Sequence, residues 1–205
     1  MGIKTSEYKR YRQLEICTKP GCRVLDRRPT SPGEHGKRLG TRKFSEYGRQ
    51  LREKQKVKMI YGVKEAQFRR FFGLASKQKG VTGDNLLSCL ERRLDNVLYR
   101  LKMCVSRNQA KQMIVHGHIL VNDKKVKSPS YLVGIGSVIS LSPQSLKQEN
   151  FLECVVQKRI NIAIKVPDWL ELQKKDYKGI VLRDPVREDV KDNIEEHLIV
   201  ELYSK

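Results

Sequence analysis

Hydrophobic positions along the chain change their period twice, and the changes mark three kinds of structure. Residues 1–43 sustain no period. Pro20-Gly21, Pro29, Pro32-Gly33, Gly36 and Gly40 punctuate a run rich in Arg and Lys, which predicts an extended segment that orders mainly against a partner. Helical spacing begins behind Ser45, a good N-cap followed by Glu46 at the positive helix end. Tyr47, Leu51, Ile60 and Tyr61 form its apolar side, and Gly62 ends it. Phe68, Phe71, Phe72 and Ala75 fall at i, i+3, i+4 and i+7 and predict a second helix closed by Gly80. Thr82 is the expected cap of a third, with Leu86, Leu90, Leu94, Val97, Leu98 and Leu101 on one stripe and a bend or restart at Asp95-Asn96. Ser106 caps a short helix from Arg107 to His116, and Gly117 stands at its end.

After Gly117 the period falls to two. Ile119 and Val121 alternate with Leu120 and Asn122, and Asn122-Asp123 suits a tight hairpin before Val126. Val138, Ile139 and Leu141 predict another strand, and Gln144–Arg159 is polar and helix-compatible. Strand-like segments recur at Ile160–Val166, around Trp169–Leu172 and at Ile180–Leu182, until Asp184-Pro185 breaks the chain. Ile194, Leu198 and Leu202 fit a closing helix, although Leu198, Val200 and Leu202 also fit a strand; the helix is preferred. Helices first, then a mixed helix and antiparallel-strand unit, then a helical return make an α+β plan with two lobes.

Charge turns this plan towards a polyanion. The 205 residues carry a net charge of +19, and a compact protein so charged repels itself unless a polyanion neutralises it. Residues 1–60 hold 17 Lys/Arg against 6 Asp/Glu, whereas residues 161–205 are net −2. The final segment is therefore expected to be an ordinary folded element that need not touch the polyanion. No run approaches 18 apolar residues, so no membrane span is expected. The first residues lack the apolar core of a secretory signal. Met1-Gly2 with Ser6 fits a myristoylation pattern, one that recurs by accident in basic proteins. Cys17, Cys22, Cys89, Cys104 and Cys154 are an odd, scattered set, expected to be reduced thiols in a cytosolic or organellar-matrix compartment.

The richest stretch is Arg92–Leu141. Its helix puts Arg107, Lys111 and Gln112 to one side, and its hairpin offers Asn122, Lys124, Lys125 and Lys127. Cations and amides on a rigid helix beside a hairpin suit the phosphate backbone of structured RNA. The bland reading is a solvated basic face. A second dense basic face lies on the helix after Ser45, at Arg49, Arg52, Lys54, Lys56 and Lys58.

The run RRLDNVLYRLKMCVSRNQAKQMIVHGHILVNDKKVKSPSYLVGIGSVISL, Arg92 to Leu141, resembles the RNA-binding domain named after ribosomal small-subunit protein four. RRPTSPGEHG at Arg27, LREKQKVKMIYGVKEAQFRRFF at Leu51, KGVTGDNLL at Lys79 and the ending EEHLIVELYSK extend the likeness to that protein family beyond the domain. The resemblance implies a helical lobe at 44–92 completed by 185–205, after the extended 1–43. It implies an inserted lobe at 93–184 of short helices and a small antiparallel sheet, with its RNA-binding core at about 93–157. It implies a structural protein of the small ribosomal subunit, placed in the cytoplasm or an organellar matrix. Such a protein binds the 5′ domain of small-subunit ribosomal RNA early in assembly and influences decoding accuracy. Neighbouring ribosomal proteins, and messenger RNA where it enters the subunit, would be further partners. No small-molecule substrate, membrane or cofactor is expected. Carried onto this chain, the expected RNA contacts are Arg42, Lys43, Tyr47, Arg49, Arg52, Lys54, Lys56, Lys58, Arg69, Arg70 and Arg93 in the first half. In the second they are Arg107, Gln109, Lys111, Gln112, His116, His118, Asn122, Lys124, Lys125, Ser130 and Tyr131.

The likeness fails over Met1–Ile16, where family members usually carry an Arg-Tyr, Gly-Pro segment and a longer basic lead-in. Some members bind zinc through four N-terminal cysteines, and Cys17 and Cys22 fall where the second pair would lie, without a first pair. Tetrahedral zinc takes four ligands, so no stoichiometric zinc is expected even with His35 nearby. His116-x-His118 lacks a third ligand in the sequence around it.

Two rivals come from other classes. Pseudouridine synthases carry the same RNA-binding domain, and Arg93-Leu94-Asp95 echoes their catalytic motif. Asp95 here runs into helical Asn96-Val97-Leu98-Tyr99, and the remaining chain is too short for the catalytic domain. Asp95 is expected to be structural, paired with an Arg. Gly33–Lys37 has the wrong spacing for a phosphate loop. A free-standing RNA chaperone would usually be shorter and lack the helical lobe.

Overall fold

In a computed structural model, residues 7–17, 22–36, 44–152 and 165–204 are described, and they divide between two units. One unit runs to Phe68 and takes in the segment from Asn193. Within it α1 spans Glu7–Leu14, α2 Val24–Arg27 and α3 Glu46–Tyr61. The first turn of α4, Glu65–Ala75, also belongs to it, as does the closing helix α10, Glu196–Ser204. The first stretch thus contains helix where no period was legible.

Ser45 caps α3 as expected, its side chain accepting from the Gly48 amide, and Gly62 ends the helix in the left-handed region. The buried face differs from the expected stripe. Tyr47 is 59% exposed, and the buried side chains are Gln50, Glu53, Val57, Ile60 and Tyr61. Polar residues belong on that face because α10 supplies their partners. Gln50 donates to Glu201 at 3.0 Å. Glu53 accepts from the Glu195 amide at 3.0 Å, where its charge favours the positive end of α10. Phe68 stacks on Tyr203 with ring centroids 6.2 Å apart. The closing segment is therefore a helix, and Ile194 and Ile199 are its buried anchors.

The second unit runs from Arg69 to Asp192. It holds α5 (Thr82–Glu91), α6 (Leu94–Arg100), α7 (Arg107–His116), and the short α8 (Pro143–Leu146) and α9 (Glu149–Phe151). Its strands are β1 (Ile119–Val121), β2 (Lys124–Lys125), β3 (Val138–Leu141), β4 (Leu170–Gln173) and β5 (Lys178–Val181). They form one antiparallel sheet in the order β2-β1-β3-β5-β4. Leu94, Val97 and Leu98 of α6 and Leu101 just after it pack with Ala110, Met113 and Ile114 of α7 over Ile119, Val121, Ile139, Leu141, Leu170 and Val181 of the sheet. Trp169, Met103, Cys104 and Val133 belong to the same core. At Gly179 a Cβ would lie 2.3 Å from Leu101 Cδ1, so the end of α6 approaches β5 where no side chain intervenes. These elements are the α+β class expected from the sequence.

One expected helix is two. Thr82 opens α5 without capping it, the N-cap being Val81 with no side-chain bond. The break falls at Arg92-Arg93, ahead of Asp95-Asn96. Arg93 is extended (φ −63°, ψ 135°) and bridges Leu132. The Leu94 amide donates to Tyr131 O at 2.9 Å and the Val133 amide to Arg92 O at 3.0 Å. Pairing with a segment some forty residues onward interrupts the helix there, and an apolar stripe carries no trace of it. Helix α4 stops at Ala75, short of Gly80. Arg42, Lys43, Cys154 and most of the expected strand at Ile160–Val166 lie outside the described residues.

Candidate nucleic-acid interface

Helix α7 and the β1–β2 hairpin form one continuous piece of the second unit. Ser106 Oγ accepts from the Gln109 amide at 3.2 Å, and Gly117 closes α7 in the left-handed region (φ 77°). Five residues later Asn122 (φ 49°) and Asp123 (φ 61°) make the two-residue turn that pairs Val121 with Lys124; positive φ at both positions matches the twist of the strands. The Lys125 chain crosses Gly117, so that a Cβ there would meet its Cε at 2.0 Å. The His118 amide donates to Met113 O at 3.0 Å, so strand β1 leaves directly from the end of the helix.

Lys124, Lys125 and Lys127 are exposed, as are Asn108, Gln112 and His116 on α7. Lys127, offered by the hairpin pattern but absent from the contacts the resemblance implies, continues the run of exposed hairpin lysines. Tyr131 is 43% exposed, and the Ser130 hydroxyl lies 3.2 Å from that of Ser128.

Other expected contacts have internal duties. Asn122 Oδ1 accepts from the Val138 amide at 2.8 Å, pinning the turn to β3. Gln109 Oε1 accepts from the Val105 amide at 2.8 Å. His118 Nδ1 is 2.8 Å from Ser145 Oγ, with its ring 4.8 Å from Phe151. Burial pulls the His118 pKa down, and the neighbouring His116 and Lys125 charges add to that, so its neutral form prevails at neutral pH.

Arg107 and Lys111, both expected RNA contacts, are half-buried. Arg107 Nε donates to Asn96 Oδ1 at 2.8 Å, and its guanidinium lies 4.4 Å from the centre of the Tyr99 ring. Lys111 Nζ is 3.9 Å from Asp95 Oδ2. Arg93 is corrected outright. Its side chain is 1% exposed, ion-paired with Asp95 at 2.6 Å and set over Phe71, so it is core rather than surface. Asp95 is the structural, Arg-paired residue the sequence suggested. Missing from the expected set were Asn96 and Tyr99, whose apolar-stripe neighbours hid their part in holding Arg107.

In the first unit, Arg49 and Tyr47 are exposed on α3, while the rest of the basic face is tied down. Glu65 receives Lys54 at 3.0 Å, Lys58 at 2.5 Å and the Tyr203 hydroxyl at 2.9 Å. Burial raises the Glu65 pKa, but those three donors outweigh it and bring it to about 2. Lys56 bonds Glu53 and the Asn193 carbonyl, and Arg52 pairs with Glu15 at 2.8 Å. Arg69 and Arg70, at the head of the second unit, are exposed.

The Cys17 and Cys22 sulfurs are 2.7 Å apart as free thiols. Among the described residues no group of three or more His, Cys, Asp or Glu is placed to hold a metal, and no helix is long and apolar enough to cross a membrane.

Residues 2–91 match the family model described as the ribosomal protein S4/S9 N-terminal domain, and residues 92–139 match that of the S4 domain. The chain is 51% identical to small ribosomal subunit protein uS4 of Halothermothrix orenii, over 96% of this chain and 92% of the relative. It is 48% identical to the uS4 of Chloroflexus aurantiacus, over 92% and 91% respectively. For the uS4 of Caldicellulosiruptor saccharolyticus the figures are 51%, 87% and 84%.

Proposed function

The chain belongs to the family of small ribosomal subunit protein uS4, and we propose that it is a structural constituent of the small subunit that binds its ribosomal RNA directly. The observation that carries this reading is the exposed lysine cluster of the β1–β2 hairpin, which follows directly on the Gly117 end of α7. A rigid, positively charged helix–hairpin unit meets phosphates without prior ordering, and each cation that neutralises a phosphate releases a counterion.

Nucleation of the 5′ domain, a part in decoding accuracy and contact with incoming messenger RNA extend the same reading and are supported by the family resemblance. The chain is not an enzyme. Asp95, the residue on which a pseudouridine-synthase reading turns, is buried against Arg93 and offers no carboxylate to a substrate.

The test is binding of the purified chain to a transcript of the 5′ domain, measured against an unrelated RNA of equal length. Copurification with small subunits after a high-salt wash is the companion measurement. Equal affinity for both RNAs together with loss in the wash would overturn the assignment.

A further inference from the structure

Asn96 is buried, yet both ends of its amide are used. Its Nδ2 donates to Glu91 Oε2 at 2.7 Å and to the Glu91 carbonyl at 3.1 Å. That side of the amide is therefore fixed as the donor, and Oδ1 is left to accept from Arg107 Nε at 2.8 Å. Glu91 is itself clamped by Arg100 through two bonds of 2.7 and 3.1 Å. One turn beyond Asn96 on α6, Tyr99 lies under the Arg107 guanidinium at 4.4 Å, as residues three apart on a helix share a face. Asp95, beside Asn96, approaches Lys111 at 3.9 Å. Two consecutive residues of α6 thus hold the two cations that stand one turn apart on α7.

We propose that Asn96 and Tyr99 are positioning residues that hold Arg107 in the orientation it presents to an RNA phosphate. This rests on the function proposed above and adds to it the residues that decide how well Arg107 performs. An arginine in a fixed plane loses less rotamer freedom on docking than one that swings in solvent. Loss of the Tyr99 platform leaves the charge in place but makes its immobilisation part of binding, which weakens binding about three- to tenfold. The number of phosphates neutralised stays the same, so the salt dependence is unchanged. That fingerprint separates positioning from contact, because removal of Arg107 itself lowers the slope of log affinity against log salt by about one.

The experiment titrates the full chain against the 5′-domain transcript at several salt concentrations, with affinity expressed per folded molecule from circular dichroism. Tyr99→Leu is expected to bind about three- to tenfold more weakly at unchanged slope, and Tyr99→Phe, which keeps the ring, to bind as the parent does. Asn96→Ala is expected to follow Tyr99→Leu; it removes a buried hydrogen-bonding group, so the Tyr99 pair decides if it fails to fold. Tyr99→Leu binding with parental affinity while Arg107→Ala binds weakly would overturn the positioning role and leave the RNA contact standing. Tyr99→Phe binding as weakly as Tyr99→Leu would also overturn it, because the ring would then not be what matters. Arg107→Ala binding as the parent does would overturn the assignment of Arg107 to the RNA surface.

Discussion

Arg93 and Asp95, two residues apart in sequence, form a buried ion pair with Nη2 2.6 Å from Oδ2 and both side chains 1% exposed. A second bond joins Arg93 Nε to Asp95 Oδ1 at 3.0 Å, and Phe71 lies 5.1 Å from the guanidinium. Arg93 Nη1 is buried without a hydrogen-bond partner, so the arginine depends heavily on this one carboxylate. Asp95→Ala is therefore expected to destabilise the protein by about 3–5 kcal/mol, since it strands a buried charge. Arg93→Met should cost less, because Asp95 retains Lys111 nearby. The double variant Arg93→Met/Asp95→Leu should be more stable than Asp95→Ala alone. Urea denaturation of the three ranks them, and a double variant as unstable as Asp95→Ala would refute the account.

Glu65 gives the first unit a pH dependence. Its folded-state pKa of about 2 lies below the ordinary 4.5, so its contribution is present above the unfolded value and is lost as pH falls through the folded one. Stability of the first unit should decline between about pH 4.5 and 2, and Glu65→Gln should flatten that part of the profile. The carboxylate is 48% exposed, so solvent and added salt screen the effect. Thermal melts of both proteins at low and high salt measure it. A parental profile in the glutamine variant would show that other carboxylates govern acid stability.

Gly117 has two reasons to be glycine, and they separate experimentally. Its φ of 77° strains any side chain, and a Cβ would meet the Lys125 chain. The lysine end is flexible and moves at little cost, so the backbone dominates. Gly117→Ala should cost about 1–2 kcal/mol, and Lys125→Ala in the same chain should not restore the loss. Recovery in the double variant would instead identify the side-chain collision as the cause.

Several local signals in the sequence were sound, although Thr82 does not cap α5 and Gly80 does not close α4. Ser45, Ser106, Gly62, Gly117 and the Asn122-Asp123 turn act through their own backbone and the next few residues, so pattern alone located them. The other errors lie where distant partners intervene. Gln50 and Glu53 are buried because Glu201 and the Glu195 amide come to them. Arg93 leaves the helix because Leu132 pairs with it. For the same reason a count of Lys and Arg overstated the accessible charge. A lysine on a helix face reads alike in sequence whether solvent or a carboxylate stands opposite.

That distinction yields the last prediction. Lys124, Lys125 and Lys127 are exposed on the hairpin, whereas Lys54 and Lys58 both bond Glu65. Alanine at all three hairpin positions should weaken binding to the 5′-domain transcript and lower the log–log salt slope by about 2 to 3. Exposed substitutions of this kind change stability by only about 0.5 kcal/mol each, so the melting temperature should hold nearly constant. Alanine at Lys54 and Lys58 should do the reverse, lowering stability because Glu65 loses two of its donors and altering the slope less. The parental chain should itself lose affinity by about a thousandfold between 50 and 200 mM salt if six or more phosphates are neutralised. Filter binding across that salt range, with thermal melts of the same preparations, decides the ranking. A hairpin variant that melts early but keeps the parental slope would mean the lysines support the fold, and the RNA surface would have to be sought elsewhere on the second unit.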